Sequence, residues 1–348
     1  MKAHHPLVQL TLARFREQLR QPEVLFWVFA FPLLLAVALG LAFRNRPPDV
    51  IRVAVEAGAG GAAGADSVAA LLSRARGFEA TVLPPAEAAD RLRRGRVAVV
   101  VVPGATLLYR YDSTRSESRM ARLATDDALQ RGLGRRDARP VADQKVMERG
   151  SRYIDFLIPG LLGLNLMGTG MWGMGYALVD ARKKKLMKRL LASPMRKTHY
   201  LLSFTFARLT MLGPEIVLLI GFGMVAFGVP MRGSVVDFLL VAVVGAMCFA
   251  GLGLLTASRV RTNEAANGLM NLIMMPMWIL SGVFFSSANF PAAMQPFIKA
   301  LPLTALNEAL RGVMLDGASL AAVAGPTAIV AAWGVVSFAV ALRIFRWL

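Results

Sequence analysis

Long apolar stretches constrain the fold of this chain more than any other feature of its sequence. Six of them approach the ~20 apolar residues that an α-helix needs to cross about 30 Å of hydrocarbon. They cover residues 24–43, 154–179, 203–229, 236–258, 265–285 and 322–342. The mean hydropathy is positive, at +0.51, and 55% of the residues are hydrophobic. The sequence therefore predicts a polytopic α-helical membrane protein with six transmembrane helices.

The first apolar stretch follows a basic N-terminal segment, an order that is also found in secretory signal peptides. Ala36-Val37-Ala38 is a loose match to a cleavage site. However, the basic segment is too long for a signal peptide, and the stretch from Val24 to Phe43 is long enough to cross a bilayer. We therefore expect residues 24–43 to remain as the first transmembrane helix.

Basic residues cluster at the ends of the apolar stretches and predict the orientation of the chain. Under the positive-inside rule, the short loops richest in Lys and Arg lie in the cytoplasm. The segments assigned to the cytoplasm carry Lys2, Arg14, Arg16, Arg20, Arg182, Lys183, Lys184, Lys185, Lys188, Arg189, Arg196, Lys197, Arg259, Arg261, Arg343 and Arg346. The short loops on the other side carry only Arg232, Lys299 and Arg311. An even number of transmembrane helices then returns the chain to the starting side, so we expect both termini in the cytoplasm.

Residues 44–152 interrupt the apolar stretches with a long segment that carries charges of both signs. Stretches typical of strands alternate with stretches typical of helices. The strands are predicted at Ile51–Val55, Phe78–Leu83, Val97–Val102 and Leu107–Tyr111, and the helices at Asp66–Arg76, Pro85–Arg94 and Ser116–Leu133. Because long segments translocate largely regardless of charge, we expect an extracytoplasmic α/β domain after the first transmembrane helix. Gly58–Gly64 predicts a flexible loop, since it lacks the Lys and Ser or Thr of a phosphate-binding loop.

The sequence contains no residue pattern typical of an enzyme. His4, His5 and His199 lack metal-ligand spacing to a cysteine or a carboxylate, and no Walker motif G-x-x-x-x-G-K-[ST] is present. Cys248 is the single cysteine, which excludes an internal disulfide. The net charge is +18, but basic residues cluster at the ends of the apolar stretches rather than on one polar face, which argues against nucleic acid as a partner. We expect no catalytic, cofactor or metal site.

The N-terminal segment, residues 1–23, has the pattern of an amphipathic helix. Val8, Leu12, Phe15 and Leu19 follow at spacings of four, three and four residues, which places them on one helical face. Arg16 and Arg20 lie on another face. The pattern predicts an interface helix on the cytoplasmic membrane surface, and the alternative is a simple basic anchor.

A second apolar face occurs within the basic segment near residues 180–197. It consists of Leu186, Met187, Leu190 and Leu191, and Pro194 ends the helical pattern. A fully solvated loop needs no such face. The four residues therefore predict burial against lipid headgroups or against a partner protein.

Polar residues inside the predicted transmembrane helices form two further candidate features. Asn263, Asn267 and Asn271 recur every four residues along the fifth helix, and polar side chains in hydrocarbon need partners. Glu215 lies near the middle of the third helix, two turns from Arg208. The two residues form either a structural ion pair between helices or part of a substrate path.

Several motifs resemble those of ABC-2 type ABC transporter permeases, of the branch with a large outer domain after the first transmembrane helix. Leu190-Leu191-Ala-Ser-Pro194 resembles the end of the family's coupling helix. Ser281-Gly-Val-Phe-Phe285 resembles the end of its fifth transmembrane helix. Pro291, Pro296 and Leu301-Pro302-Leu303-Thr304 resemble the outer re-entrant segment that follows, near 286–305. Many members have acidic residues and a Gly-Thr pair in the coupling helix, where this chain has Lys184, Lys185 and Leu186.

The resemblance implies a permease subunit of an exporter, working as a dimer with a second copy or a paralogue. A separate cytoplasmic ABC ATPase would bind ATP and Mg²⁺ and act on the coupling helix, so the chain itself would not be an enzyme. The implied substrates are amphipathic, of the drug, lipid or polysaccharide class. Two alternatives remain open at this point. One is an ion-coupled secondary transporter, and the other is a membrane-anchored sensor with 44–152 as its ligand domain.

Overall fold

A computed structural model describes residues 6–44, 50–58, 62–136, 139, 150, 152–184, 197–260 and 262–344. The chain divides into two compact units. One, here called the helical unit, comprises Met1–Arg44 and Val146–Leu348. The other, here called the α/β unit, comprises Asn45–Lys145.

The N-terminal part of the helical unit consists of one short helix followed by a longer helical stretch. The elements are α1 (Pro6–Leu19), α2 (Pro22–Leu25), a π-helical turn (Phe26–Ala30) and α3 (Phe31–Arg44). Gln21 is extended, and Pro22 occupies the first turn of α2, where its missing N–H removes no helical hydrogen bond. The chain therefore breaks between α1 and the first apolar stretch, as Pro22 indicates.

The α/β unit is a four-stranded sheet with three helices. Its elements are β1 (Ile51–Glu56), α4 (Ala62–Arg74), β2 (Phe78–Leu83), α5 (Pro85–Arg93), β3 (Val99–Val102), β4 (Leu108–Tyr111) and α6 (Ser116–Gly132). The strand order is β2-β1-β3-β4, and β1 pairs in parallel with β2 and β3. The edge strand β4 is antiparallel to β3. Helix α4 begins at Ala62, inside the stretch predicted as a loop, because alanine favours helix.

Each face of this sheet carries its own hydrophobic core. Val53 and Val99 belong to the core that also contains Leu72 of α4. Ala54 and Val100 belong to the core on the opposite face. Successive side chains of a strand point to opposite faces, so a strand buried on both faces needs an uninterrupted apolar sequence. This explains why the four residues of β3 are all valine.

The C-terminal part of the helical unit contains seven α-helices in the described ranges. They are α7 (Tyr153–Lys183), α8 (Lys197–Phe227), α9 (Val235–Ala257), α10 (Asn263–Leu280), α11 (Gln295–Ala300), α12 (Pro302–Met314) and α13 (Ala324–Ile344). Two 3-10 turns, Ser287–Asn289 and Ala292–Met294, precede α11. Within the described residues, five helices are long and apolar enough to cross a membrane: Pro22–Phe43, Tyr153–Lys183, Ser203–Phe227, Val235–Ala257 and Ala324–Ile344.

The fifth predicted transmembrane stretch, 265–285, corresponds to α10, which is not one of those five helices. It has 18 residues and ends at Leu280, before Ser281 and Gly282. Gly282 has a φ of +68°, a conformation that favours glycine and ends the helix. The chain is thus multi-helical and membrane-spanning, while a sixth crossing stays a prediction.

Helices α7 and α9 form the centre of the helical unit. Glycines let their backbones approach closely, since a Cβ atom on Gly253 would lie 2.7 Å from the carbonyl oxygen of Gly170. Small residues serve the same purpose at many helix contacts in membranes. Helix α7 is accordingly largely buried, which agrees with an apolar composition on all of its sides.

Candidate functional site

A cavity of about 840 Å³ lies inside the helical unit. Its walls come from the segment α1–α3 and from α7, α8 and α10, with Ala250 of α9. Lining residues on α7 run from Leu161 to Asp180, a rise of about 28 Å along the helix. That rise is close to the ~30 Å thickness of the hydrocarbon layer. The cavity therefore follows the membrane helices over much of their length.

Aromatic side chains form a large part of the cavity wall. Three of the five tryptophans in the chain, Trp27, Trp172 and Trp278, line it. Trp172 stacks on Tyr176 with 5.3 Å between the ring centroids. Ligand sites in proteins are commonly lined by such apolar and aromatic surfaces with a few polar groups, and their volumes are about 300–1,000 Å³.

Charged and polar residues gather at one end of the cavity. Arg14 and Glu17 of α1, Glu23 of α2, Asp180 near the end of α7 and Asn263 at the start of α10 line it in segments that the charge pattern assigns to the cytoplasmic side. Asp180 also binds the ammonium group of Lys184 at 2.8 Å, and this hydrogen bond raises the pKa of the lysine. The cavity thus has a polar end and a long apolar part.

Arg208 and Glu215 form a buried ion pair in the cavity wall. Their side chains join through two hydrogen bonds of 2.7 and 2.9 Å between the guanidinium nitrogens and the carboxylate oxygens. The residues are 7% and 2% exposed. A spacing of seven residues places both on one face of α8, as the sequence indicates. Among the described atoms, Nε of Arg208 has no hydrogen-bond partner.

The three asparagines of α10 differ in their surroundings. Asn263 lines the cavity, and its Oδ1 atom is buried without a partner in the described part of the chain. The Oδ1 atom of Asn267 is also buried and lacks a described partner. Asn271 is exposed on the surface of the unit. The predicted stripe therefore reaches the cavity only at Asn263.

Helix α1 packs on α8 through the face opposite the predicted apolar stripe. Nε of Arg14 donates to Oγ of Ser203 at 3.0 Å, and the guanidinium lies 3.2 Å from the ring centroid of Phe204. On the stripe, Val8, Leu12 and Leu19 are exposed and Phe15 is half-buried. Contact of this stripe with lipid stays a prediction.

The predicted coupling residues Leu186, Met187, Leu190, Leu191 and Pro194 lie outside the described residues. The helix end that precedes them makes a contact that the sequence does not indicate. The guanidinium of Arg182 donates to the carbonyl oxygens of Ala257, Ser258 and Val260 at 2.7, 2.6 and 2.9 Å. A cation at a helix C-terminus binds carbonyls that lack helical partners. Arg182 therefore links the end of α7 to the end of α9 through hydrogen bonds.

The position of Arg311 differs from the one that the sequence predicts. The sequence places it among loop residues, whereas the structure places it in α12. Its guanidinium donates to the carbonyl oxygens of Phe156 (3.1 Å) and Gly282 (2.6 Å). Arg311 therefore joins separate parts of the helical unit rather than lying as a free charge in a loop. On the same helix, Nδ2 of Asn307 donates to the carbonyl oxygen of Ser281 at 3.2 Å. Helix α12 thus holds the end of α10 and the start of α7.

Metal-binding groups do not cluster in the part of the chain that the structure describes. No set of three or more His, Cys, Asp or Glu side chains there could hold a metal ion.

Sequence comparisons identify the family. The family model for ABC-2 family transporter proteins matches residues 22–343. The chain is 26% identical to "ABC transporter G family member 20" of Dictyostelium discoideum, over 49% of this chain and 23% of that protein. It is 23% identical to "Probable multidrug ABC transporter permease YbhR" of Escherichia coli K12, over 48% of this chain and 46% of that protein.

These matches span less than half the length of each relative. The family model, in contrast, covers nearly the whole chain, including every helix that forms the cavity wall except α1. Together with several apolar helices long enough to cross a membrane, this match establishes a membrane protein of the transporter class. The chain belongs to the ABC-2 family of transporter proteins.

Proposed function

We propose that this chain is the permease subunit of an ATP-driven exporter and that its cavity carries the substrate. The observation that supports this most is the cavity of about 840 Å³ between membrane helices of an ABC-2 family protein. Its polar end and long apolar, aromatic part suit an amphipathic molecule. A molecule that enters from the cytoplasm or the inner leaflet would leave outward.

The energy is proposed to come from a separate ABC ATPase that docks at the coupling segment near residues 180–197. Helices α7 and α8, which both line the cavity, are joined by this segment. Displacement of the segment would therefore move two cavity walls. Because Arg182 binds the last carbonyls of α9, the same displacement would also act on that helix.

The assembly is proposed to be a dimer, in which the second subunit covers the exposed face of α10. Leu272, Met275 and Ile279 on this face are more than half exposed. In the proposed topology both termini are cytoplasmic, α10 is the fifth of six crossings, 286–305 is an outer re-entrant segment and 44–152 is outside. The membrane is then the inner membrane of a bacterial cell.

A substitution that fills the cavity tests this function. Gly168 lines the cavity, and apart from its chain neighbours and the adjacent helix backbone no heavy atom lies within 4 Å of a Cβ atom built on it. Gly168→Trp should therefore fold normally and block the cavity. We expect ATP-dependent uptake of fluorescent amphiphiles into inside-out vesicles to fall at least about tenfold, the equivalent of about 1.4 kcal/mol.

Gly221→Trp on α8 is a matched control. Both glycines are half-buried and have free space at the Cβ position, but Gly221 does not line the cavity. Uptake by this variant should stay near that of the original protein. Full uptake by Gly168→Trp would refute the cavity as the path, and uptake driven by a proton gradient without ATP would favour an ion-coupled transporter.

A further inference from the structure

We infer that the cavity selects hydrophobic organic cations over neutral and anionic amphiphiles. This inference rests on the proposed function only in that the bound molecule is taken to be the exported one. It rests on two properties of the cavity: the sign of the charges that line it and the presence of three tryptophans in its wall.

The charge of the cavity lining is opposite to that of the chain. Four carboxylates and two guanidinium groups line it, although the net charge of the chain is +18. The carboxylates are those of Glu17, Glu23, Asp180 and Glu215, and the guanidinium groups are those of Arg14 and Arg208. A lining with excess carboxylate attracts cations and repels anionic headgroups.

Local pairing leaves the excess negative charge at the polar end. Arg208 is bound to Glu215 in the wall, and Lys184 is bound to Asp180. The charged group of Arg14 rests on Phe204. Lys184 also lies close enough to Glu17 for this carboxylate, after Asp180, to contribute to the raised pKa of the lysine. Within the described residues, neither Glu17 nor Glu23 has a basic group at ion-pair distance, so a cationic headgroup would meet Glu23 and, beside Lys184, Glu17.

The tryptophans suit the rest of such a ligand. The face of an indole ring attracts a cation more strongly than the other aromatic side chains do, and it also packs against apolar groups. Trp27 lies beside the carboxylate end, four residues after Glu23. Trp172 and Trp278 line the part of the cavity beyond it. A charged headgroup and an aromatic or aliphatic body would thus both find matching surfaces.

Two probes of equal shape and opposite charge test the inference. Tetraphenylphosphonium and tetraphenylborate each carry four phenyl rings around one charged centre. Each probe is used in labelled form with the purified full-length chain in phosphatidylcholine nanodiscs. Specific binding is the part of the bound label that an excess of the unlabelled probe displaces. We expect the affinity for the cation to exceed that for the anion at least about tenfold, which corresponds to about 1.4 kcal/mol.

Substitutions test which residues of the cavity produce the selectivity for cations. Glu17→Gln with Glu23→Gln should weaken cation binding about tenfold, and Trp172→Leu should weaken it as well. Glu17 and Glu23 are exposed, so their replacement should leave the fold intact. Glu308→Gln is the control, because Glu308 is an exposed carboxylate of α12 outside the cavity. Equal affinity for both probes, or unchanged cation binding in the double variant, would overturn the inference.

The binding assay needs no ATPase, which separates this inference from the proposed function. Cation binding without any ATP-driven transport by the reconstituted complex would remove the exporter assignment and keep the selectivity. ATP-driven transport of neutral amphiphiles without cation binding would keep the exporter assignment and remove the selectivity.

Discussion

At the scale of single residues, buried charge is the most informative feature of the helical unit. Arg208 and Glu215 bind each other through two hydrogen bonds, whereas Arg182 and Arg311 bind main-chain carbonyl oxygens. Removing a charge from water costs several kcal/mol, and good geometry in the folded state is needed to offset it. These three arginines therefore fix particular contacts between helices rather than serving only as topology signals.

Replacing one partner of the buried ion pair should destabilise the protein more than replacing both. Glu215→Gln leaves the Arg208 guanidinium buried without its counter-charge, which costs about 3–5 kcal/mol. Arg208→Met with Glu215→Leu removes both charges and should recover most of that loss, since apolar replacements of buried pairs are often neutral. The measurement is thermal unfolding of the purified protein in detergent.

Transport by the same variants separates the two roles of the pair. If the pair only packs α8, the double variant should be stable and transport normally. Stable protein with impaired transport would assign the pair to the substrate path. Equal loss of stability in the single and double variants would contradict a self-contained ion pair.

The Arg208–Glu215 pair could be predicted because both residues lie on one helix at a spacing that the sequence displays. Arg182 and Arg311 could not be assigned a partner from the sequence. Their acceptors are main-chain carbonyls 75 to 78 residues away for Arg182, and 29 and 155 residues away for Arg311. A carbonyl acceptor leaves no residue signature, so only the structure reveals such contacts.

At the scale of elements, periodicity identified the helices and strands but not all of their contacts. The strand at Phe78–Leu83 has the predicted bounds, because an apolar pattern bounded by Gly77 and Pro84 fixes both ends. For α1, the sequence predicts a contact only for the apolar stripe on one face of the helix. The opposite face packs on α8 through Arg14, a contact that depends on a residue 189 positions away. Hydrophobic pattern alone does not predict such a polar contact.

The coupling segment carries the prediction that belongs to this scale. Burial of one leucine contributes roughly 1.5–3 kcal/mol, so docking the apolar face of the coupling segment into an ATPase cleft would contribute several kcal/mol. The free-energy cost of association offsets part of this gain. Leu186→Asp with Leu190→Asp should leave the protein inserted, yet abolish pull-down of the partner ATPase. Lys184→Gln with Lys185→Gln is the matched charge change, and it should affect pull-down much less.

The rival explanation for this segment is that its apolar face lies in lipid headgroups. In that case the Asp variant loses contact with the membrane surface but recruits the ATPase normally. Normal recruitment by a correctly inserted Asp variant would therefore contradict the proposed docking. The readout is ATPase co-purification together with ATP hydrolysis by the reconstituted complex.

At the scale of the whole molecule, the chain combines two units of different construction. Strand-like stretches that alternate with helix-like stretches predicted the strands of the α/β unit. The position of β1 inside the order β2-β1-β3-β4 depends on tertiary packing, which the sequence pattern does not give. In the helical unit, five of the apolar stretches correspond to described helices that are long and apolar enough to cross a membrane. The cavity could not be predicted, since its lining comes from helices far apart in the sequence. Orientation in the membrane is the property on which the exporter proposal depends most.

Cysteine labelling tests that orientation in intact cells. Cys248 is the single native cysteine and is buried, so added cysteines can be labelled selectively. Ser113→Cys adds a thiol at an exposed position of the α/β unit, and Ser193→Cys adds one in the basic segment. Under the positive-inside rule, an impermeant thiol reagent should label Cys at position 113 and spare position 193 until the cells are permeabilised. The reverse pattern would place the basic segment outside, out of reach of a cytoplasmic ATPase, and would refute both the topology and the exporter assignment.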